Sequence, residues 1–199
     1  MLWDTENHKR RKELTVNFIR HGKTAGNLEK RYIGRTDEPL CDDGIAELGK
    51  NEYPACDIVI TSPMKRCIGT AEIIYPGMSV KTYEDLRECD FGHFEGRNHI
   101  EMSDDPEYAD WLEKGGMAAF PGGEDSADFR ERCVKAFLEA VNDSAGADTI
   151  SFVVHGGTIM AVLEKLAVPH KEFYEYMIEN GHGYVTAFDG KKLEILEKI

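Results

Sequence analysis

The stretch Val16-Asn17-Phe18-Ile19-Arg20-His21-Gly22-Lys23-Thr24 reads as an apolar, β-rich strand running into His-Gly, with a Thr placed to cap the next helix. The same arrangement returns at Ser151-Phe152-Val153-Val154-His155-Gly156-Gly157-Thr158. Around these two stretches, strand and helix patterns alternate. Leu14 to Ile19, Asp57 to Thr61 and Ile150 to Val154 are short apolar runs, and Val80 to Glu84 reads as another strand. Met64 to Tyr75 carries Ile68, Ala71 and Ile74 on one helical face. Phe129 to Val141 carries Cys133, Phe137 and Val141 in a stripe, with Ala136 and Ala140 beside it. Thr158 to Leu166 is apolar on most sides, as a packed helix should be. Tyr184 to Phe188 and Leu193 to Leu196 flank Asp189-Gly190 and read as a hairpin. The expected fold is therefore α/β: a three-layer α/β/α sandwich, its sheet mostly parallel with an antiparallel edge.

One segment departs from the alternation. Residues 97–120 hold Pro106, the Gly115-Gly116 pair and a short helical piece around Glu107 to Lys114. They read as an excursion near the pocket. Tyr108, Trp111 and Phe120 are available either to line that pocket or to pack the excursion onto the body, and the sequence supports both readings. The basic run Lys9-Arg10-Arg11-Lys12 reads as a solvated tail over residues 1–12, leaving 13–199 as a single domain.

The 199 residues are 41% hydrophobic and 31% charged, an ordinary soluble composition with enough chain for a core without staples. Lys plus Arg number 24 against 37 Asp plus Glu, a formal net charge of −13. That balance argues against nucleic acid or an anionic membrane as the main partner, though a local Arg cluster can still reverse the sign in one pocket. No stretch is apolar and long enough to span a bilayer, and no apolar segment of signal-peptide length follows the basic run. The five cysteines, Cys41, Cys56, Cys67, Cys89 and Cys133, are odd in number, widely spaced and free of C-x-x-C, so neither a disulfide framework nor a structural zinc site is expected. Free thiols fit a cytoplasmic setting.

In an open α/β sheet, ligands bind beyond the carboxyl ends of the strands. Two histidines delivered there are expected to meet at one solvent-facing crevice. The Gly after each lets backbone approach a ligand, and the helix start favours an anion. A His pair can also bind a metal, but Arg20 directly before His21 would repel a divalent cation and instead suits bidentate grip of a phosphate. A third strand end leads into Ser62-Pro63-Met64-Lys65-Arg66, where Ser62 reads as an N-cap, Pro63 as the first helical residue and Arg66 as a cation near the helix start. Leu86-Arg87-Glu88 follows the fourth strand. A carboxylate beside an anionic ligand is repulsive unless protonated, the state a general acid needs, but composition alone does not single out Glu88.

Arg20-His21-Gly22-Lys23-Thr24-Ala25-Gly26-Asn27 resembles the R-H-G-x-T-x-x-N signature of the histidine phosphatase superfamily, the phosphoglycerate-mutase-like enzymes. Ser62 to Ala71 is similar to its S-P-x-x-R-x-x-x-T-A segment, and Leu86 to Gly96 to its L-R-E-x-x-F-G-x-x-E-G block. Pro121-Gly122-Gly123-Glu124 and His155-Gly156-Gly157 complete the order. The resemblance implies that His21 is the nucleophile, taking the phosphoryl group as phosphohistidine. It implies that Arg20, Arg66 and His155 clamp the phosphoryl oxygens, with Asn27, Thr24 and Gly156 also at the substrate. Glu88 would protonate the leaving alkoxide and then activate water. No metal or cofactor is called for, because Arg and His supply the charge.

Arg31-Tyr32-Ile33-Gly34-Arg35-Thr36-Asp37-Glu38-Pro39-Leu40 resembles the Y-x-G-x-T-D-x-P-L segment of α-ribazole phosphatases, which act late in cobalamin nucleotide-loop assembly. Ile33 stands where many relatives carry Gln. The excursion of 24 residues is short beside that of the cofactor-dependent mutases, which favours a phosphatase on a small phosphorylated metabolite over a mutase; the runner-up readings are a phosphoglycerate mutase and a broad sugar-phosphate phosphatase. The alternative of another class is a catalytically silent phosphate-binding module, against which stands the presence of all five expected catalytic residues.

Overall fold

The computed structural model describes residues 13–199; the basic run Lys9 to Lys12 lies outside the described residues. The chain forms β1 (Leu14–Arg20), α1 (Ala25–Leu28), α2 (Asp42–Leu48), β2 (Ile58–Thr61), α3 (Lys65–Ile74), β3 (Val80–Thr82), α4 (Pro106–Glu113), α5 (Ser126–Asn142), β4 (Thr149–Val154), α6 (Gly156–Leu166), β5 (Ala167–Val168), β6 (Gly183–Phe188) and β7 (Leu193–Lys198). Single 3₁₀ turns occupy Glu84–Leu86, Gly92–Phe94 and Phe173–Tyr176.

The seven strands make one sheet in the order β3-β2-β4-β1-β6-β7-β5. β3, β2, β4 and β1 are parallel, while β6 runs antiparallel to both β1 and β7. The hairpin thus lies on the antiparallel side of the sheet, and the two-residue β5 closes that margin beside β7. Asp189 turns the hairpin: its Oδ1 accepts the Lys191 and Lys192 N–H groups at 2.7 Å, and Gly190 takes φ +98°.

β4 is buried on both faces, which is why it reads as a mostly apolar run, with the buried Ser151 satisfied by Asn17 Nδ2 at 2.9 Å. Its successive side chains go to opposite layers. Phe152 joins Phe18, Phe137, Cys133 and Ile159 under α5 and α6, whereas Val153 joins Ile19, Val59, Ala71 and Tyr75 under α3. These two clusters, one on each side of the sheet, are the three-layer arrangement. β1 and β4 pair from Thr15↔Thr149 to Arg20↔Val154, and His21 N–H donates to Val154 O at 2.9 Å. His21 and His155 therefore leave neighbouring strands at the same level.

Two cap assignments are corrected. α3 begins at Lys65, after Met64, and Ser62 does not cap it: the Ser62 hydroxyl meets His155 Nε2 at 2.8 Å instead. Thr158 lies inside α6, which starts after His155, and its hydroxyl donates to Leu86 O at 3.2 Å. Thr24 does cap α1, in a reciprocal capping box with Asn27. β3, expected over Val80 to Glu84, ends at Thr82, and the Glu84–Leu86 turn carries the chain on to Glu88.

Candidate active site

Four adjacent strand ends deliver the five groups. Glu88 follows β3, Arg66 follows β2, His155 follows β4, and Arg20 and His21 end β1. The two imidazoles stand edge to face with ring centroids 5.2 Å apart. Their surroundings differ from the expected solvent-facing crevice, because His21 is 4% exposed and His155 fully buried.

Burial pushes the His21 imidazole well below its ordinary value, with the Arg66 and Arg20 charges adding to the effect. It is neutral near pH 7. Its Nδ1 lies 2.7 Å from the Gly22 carbonyl, which only accepts, so Nδ1 carries the hydrogen and Nε2 the lone pair. His155 is likewise held neutral by burial, then by Arg66 and His21. Arg66 Nε–H donates to its Nδ1 at 3.3 Å, so its Nε2–H donates to Ser62 Oγ. Cys67 Sγ sits 3.5 Å from the same nitrogen, and burial pushes its thiol up, which makes it a poor nucleophile.

Arg66 is fully buried. Its Nη1 donates to Thr36 O at 2.7 Å and its Nη2 to Gly34 O at 2.8 Å, so the loop at 33–36 is strapped over it by carbonyls. Arg20 donates through Nη1 to Ile178 O at 2.7 Å, while its buried Nε has no acceptor among the described residues. Gly156 allows that guanidinium close: a Cβ there would stand 3.3 Å from Arg20 Nε. Glu88 is held at both carboxylate oxygens, Oε1 accepting from Cys89 N at 3.0 Å and Oε2 from Gly157 N at 3.1 Å.

Arg20, Asn27, Glu88, Gly156 and Gly157 line a cavity of about 520 Å³. Asn27 Oδ1 accepts from Thr24 N, Thr24 Oγ1 and Asn180 Nδ2, which fixes the amide with its own Nδ2 donors unpaired among the described residues. Thr24 itself is buried and does not reach the cavity; it acts on the site by holding Asn27. The rest of the lining is largely apolar, with Tyr32, Phe91, Trp111, Phe120, Phe129, Met160 and Phe173, and with Lys30, Arg31 and His99 as its basic members. Of the excursion aromatics, Trp111 and Phe120 line the cavity, whereas Tyr108 packs behind them against Phe94 and Trp111. Ile33 packs on α1: a Cβ on Gly26 would lie 2.5 Å from its Cγ1. No polar side chain enters from that position.

The model of the histidine phosphatase superfamily (branch 1) matches residues 16–198. The chain belongs to the histidine phosphatase superfamily. It is 32% identical to phosphoglycerate mutase-like protein 4 of Arabidopsis thaliana over 89% of this chain and 81% of that one. It is 26% identical to the adenosylcobalamin/α-ribazole phosphatase of Salmonella typhimurium, over 82% and 85%. The crystal structure of the α-ribazole phosphatase from Shigella flexneri superposes with a TM-score of 0.81 at 22% identity, covering 93% of this chain and 96% of that one, a likeness of fold. Within this superfamily frame, sequence reasoning missed Asn180, Gly157 and the walls Tyr32, Phe91 and Phe129. It also assigned Ser62 a local role that the fold does not use. Tyr32, Phe91 and Gly157 stand inside the quoted motifs but were given no role there, and Asn180 and Phe129 carry no local signal, because their place at the cavity is set by distant segments.

Proposed function

We propose that the chain is a phosphoric monoester hydrolase working through a phosphohistidine on His21. The observation that carries this reading is the His21–Gly22 contact, which leaves a neutral imidazole with its lone pair on Nε2, between two arginines. In the first step Nε2 attacks phosphorus and the bond to the leaving oxygen breaks. Glu88, held at the cavity wall, gives that oxygen its proton. In the second step Glu88 takes a proton from water, the water oxygen attacks phosphorus, the P–N bond breaks and its electrons return to Nε2. Arg20 and Arg66 stabilise the charge on the transferring group, assisted by the Asn27 amide. His155 fixes Arg66 from behind and has an Nε2–H that can pass from Ser62 to a phosphoryl oxygen.

Rapid-quench labelling with a ³²P-phosphomonoester tests this. The expected result is protein-bound label that is acid-labile, base-stable and absent in His21→Ala. Chelators should leave turnover intact, and vanadate should inhibit by resembling the five-coordinate transition state. Chelator-sensitive turnover restored by a divalent ion would reject the mechanism in favour of metal-dependent hydrolysis.

The substrate reading follows from the walls. A site for a small, highly anionic phosphoglycerate calls for cations around the leaving group. Here the cavity walls are mainly Trp111, Phe120, Phe129 and Met160; Lys30, Arg31 and His99 also line it, but Arg31 is already paired with Glu29 and Glu101. Such a surface suits an ester whose alcohol carries a flat apolar ring, and α-ribazole 5′-phosphate has that character. Trp111→Leu is expected to raise the KM for α-ribazole 5′-phosphate about five- to tenfold, as the loss of an aromatic contact implies. The KM for glycerol 3-phosphate should hardly move. Equal changes for the two would assign Trp111 to packing alone.

A further inference from the structure

We infer that Arg132 and Glu124 form a positioning pair for Glu88, setting where the proton donor stands against the leaving group. The inference rests on the acid role proposed for Glu88. Arg132, on α5, uses all five of its N–H groups. Nε and Nη2 grip the two Glu124 oxygens at 2.6 and 2.8 Å. Nη1 donates to Asp85 O at 2.9 Å and to Arg87 O at 2.8 Å, and Nη2 to Glu88 O at 3.1 Å. One guanidinium thus gathers three carbonyls of the segment that presents Glu88. The pair is largely shielded, with side-chain exposures of 23% and 20%, and Arg132 also lies 4.9 Å over the Phe129 ring at the cavity wall.

Glu124 closes the Pro121-Gly122-Gly123-Glu124 motif, which the proposed chemistry does not otherwise use. It ties the same segment from the other side, donating its N–H to Asp90 O at 2.9 Å and accepting Asp90 N–H at Oε2. The carboxylate of Glu88 is fixed by Gly157 N while its backbone is fixed by Arg132. A lysine at 132 offers one point charge and cannot span the carboxylate and three carbonyls together.

The test compares an alkyl phosphate, whose leaving oxygen needs a proton, with p-nitrophenyl phosphate, whose leaving group departs without one. Arg132→Lys and Glu124→Gln should each lower kcat on the alkyl ester about tenfold more than on the aryl ester, a fraction of what a positioned acid contributes. Combining either with Glu88→Gln should cost little beyond Glu88→Gln alone, because the pair works through that residue. Losses equal for both esters, or additive with Glu88→Gln, would overturn the inference and leave a structural clamp. Should Arg132→Lys fail to fold, the isosteric Glu124→Gln carries the same comparison. If Glu88→Gln shows no preference between the esters, the acid role itself falls and the pair loses its function with it. His21 labelling by the aryl ester reports separately on the nucleophile.

Discussion

His21→Ala is expected to lower turnover on every phosphomonoester by about 10⁴- to 10⁶-fold, the scale seen when an enzyme loses its nucleophile. Phosphate binding should survive, because Arg20, Arg66 and the Asn27 amide are untouched. The fold should survive too, for a reason different from exposure. The imidazole is buried, but the backbone of residue 21 is held by main-chain bonds: its N–H donates to Val154 O, and its carbonyl accepts from Gly181 N. Asn180 Nδ2 adds a third tie at 3.0 Å. Among the described residues the only side-chain hydrogen bond lost is the one to Gly22 O, at a cost of about 1–3 kcal/mol for the orphaned acceptor. Steady-state kinetics with a sensitive product assay, phosphate titration by calorimetry and a thermal melt separate the effects. Residual turnover within tenfold of wild type would remove His21 from the chemistry. Turnover absent from both proteins, with phosphate still bound, would point to a silent binding module instead.

The parts of this molecule that sequence reasoning reached are those whose cause is local or periodic. β1 and β4 were legible because strands buried on both faces are mostly apolar, broken in their middles only at Asn17 and Ser151, which pair with each other, and α5 because its stripe repeats at helical spacing. The four-residue α1 and the two-residue β5 are too short for any period to register. Ser62-Pro63 has the composition of a helix start, yet the Ser62 hydroxyl finds a partner 93 residues away and the helix opens later. The excursion aromatics were ambiguous because lining and packing use the same side chains; only the fold places Trp111 at the cavity and Tyr108 behind it. Arg132 was invisible for a plainer reason. Three of its five bonds go to backbone carbonyls, which every residue has, so no partner residue type marks them in the sequence.

Acid should destabilise this protein sooner than its carboxylates require. His21 and His155 are both neutral in the folded state, each held well below 6.5 by burial first. The groups facing His21 are Arg66 and Arg20; those acting on His155 are Arg66, His21, Arg20 and Arg132. All of these oppose a further positive charge. In the unfolded chain the two imidazoles titrate near 6.5, so below that pH the unfolded state binds two protons that the folded state refuses. Stability then falls with decreasing pH, by at most about 1.4 kcal/mol per pH unit for each histidine and about 2.7 for both. Above about pH 6.5 neither state is protonated there and the penalty disappears. Glu47, Glu101, Asp105 and Asp189 have lowered values and stabilise the fold above their ordinary 4.5 or 3.8, so their loss comes only in stronger acid. The window between pH 4.5 and 6.5 therefore belongs to the histidines. Urea unfolding across it, in a buffer free of phosphate, should show wild-type stability falling as the pH drops below 6.5, and falling less steeply for His21→Ala. Added phosphate should flatten the slope further, because a dianion beside His21 reverses the field that keeps it neutral. A wild-type slope carried over unchanged into both His21→Ala and His155→Asn would show that neither imidazole is held neutral by the fold, and the lone pair assigned to His21 Nε2 would lose its electrostatic basis.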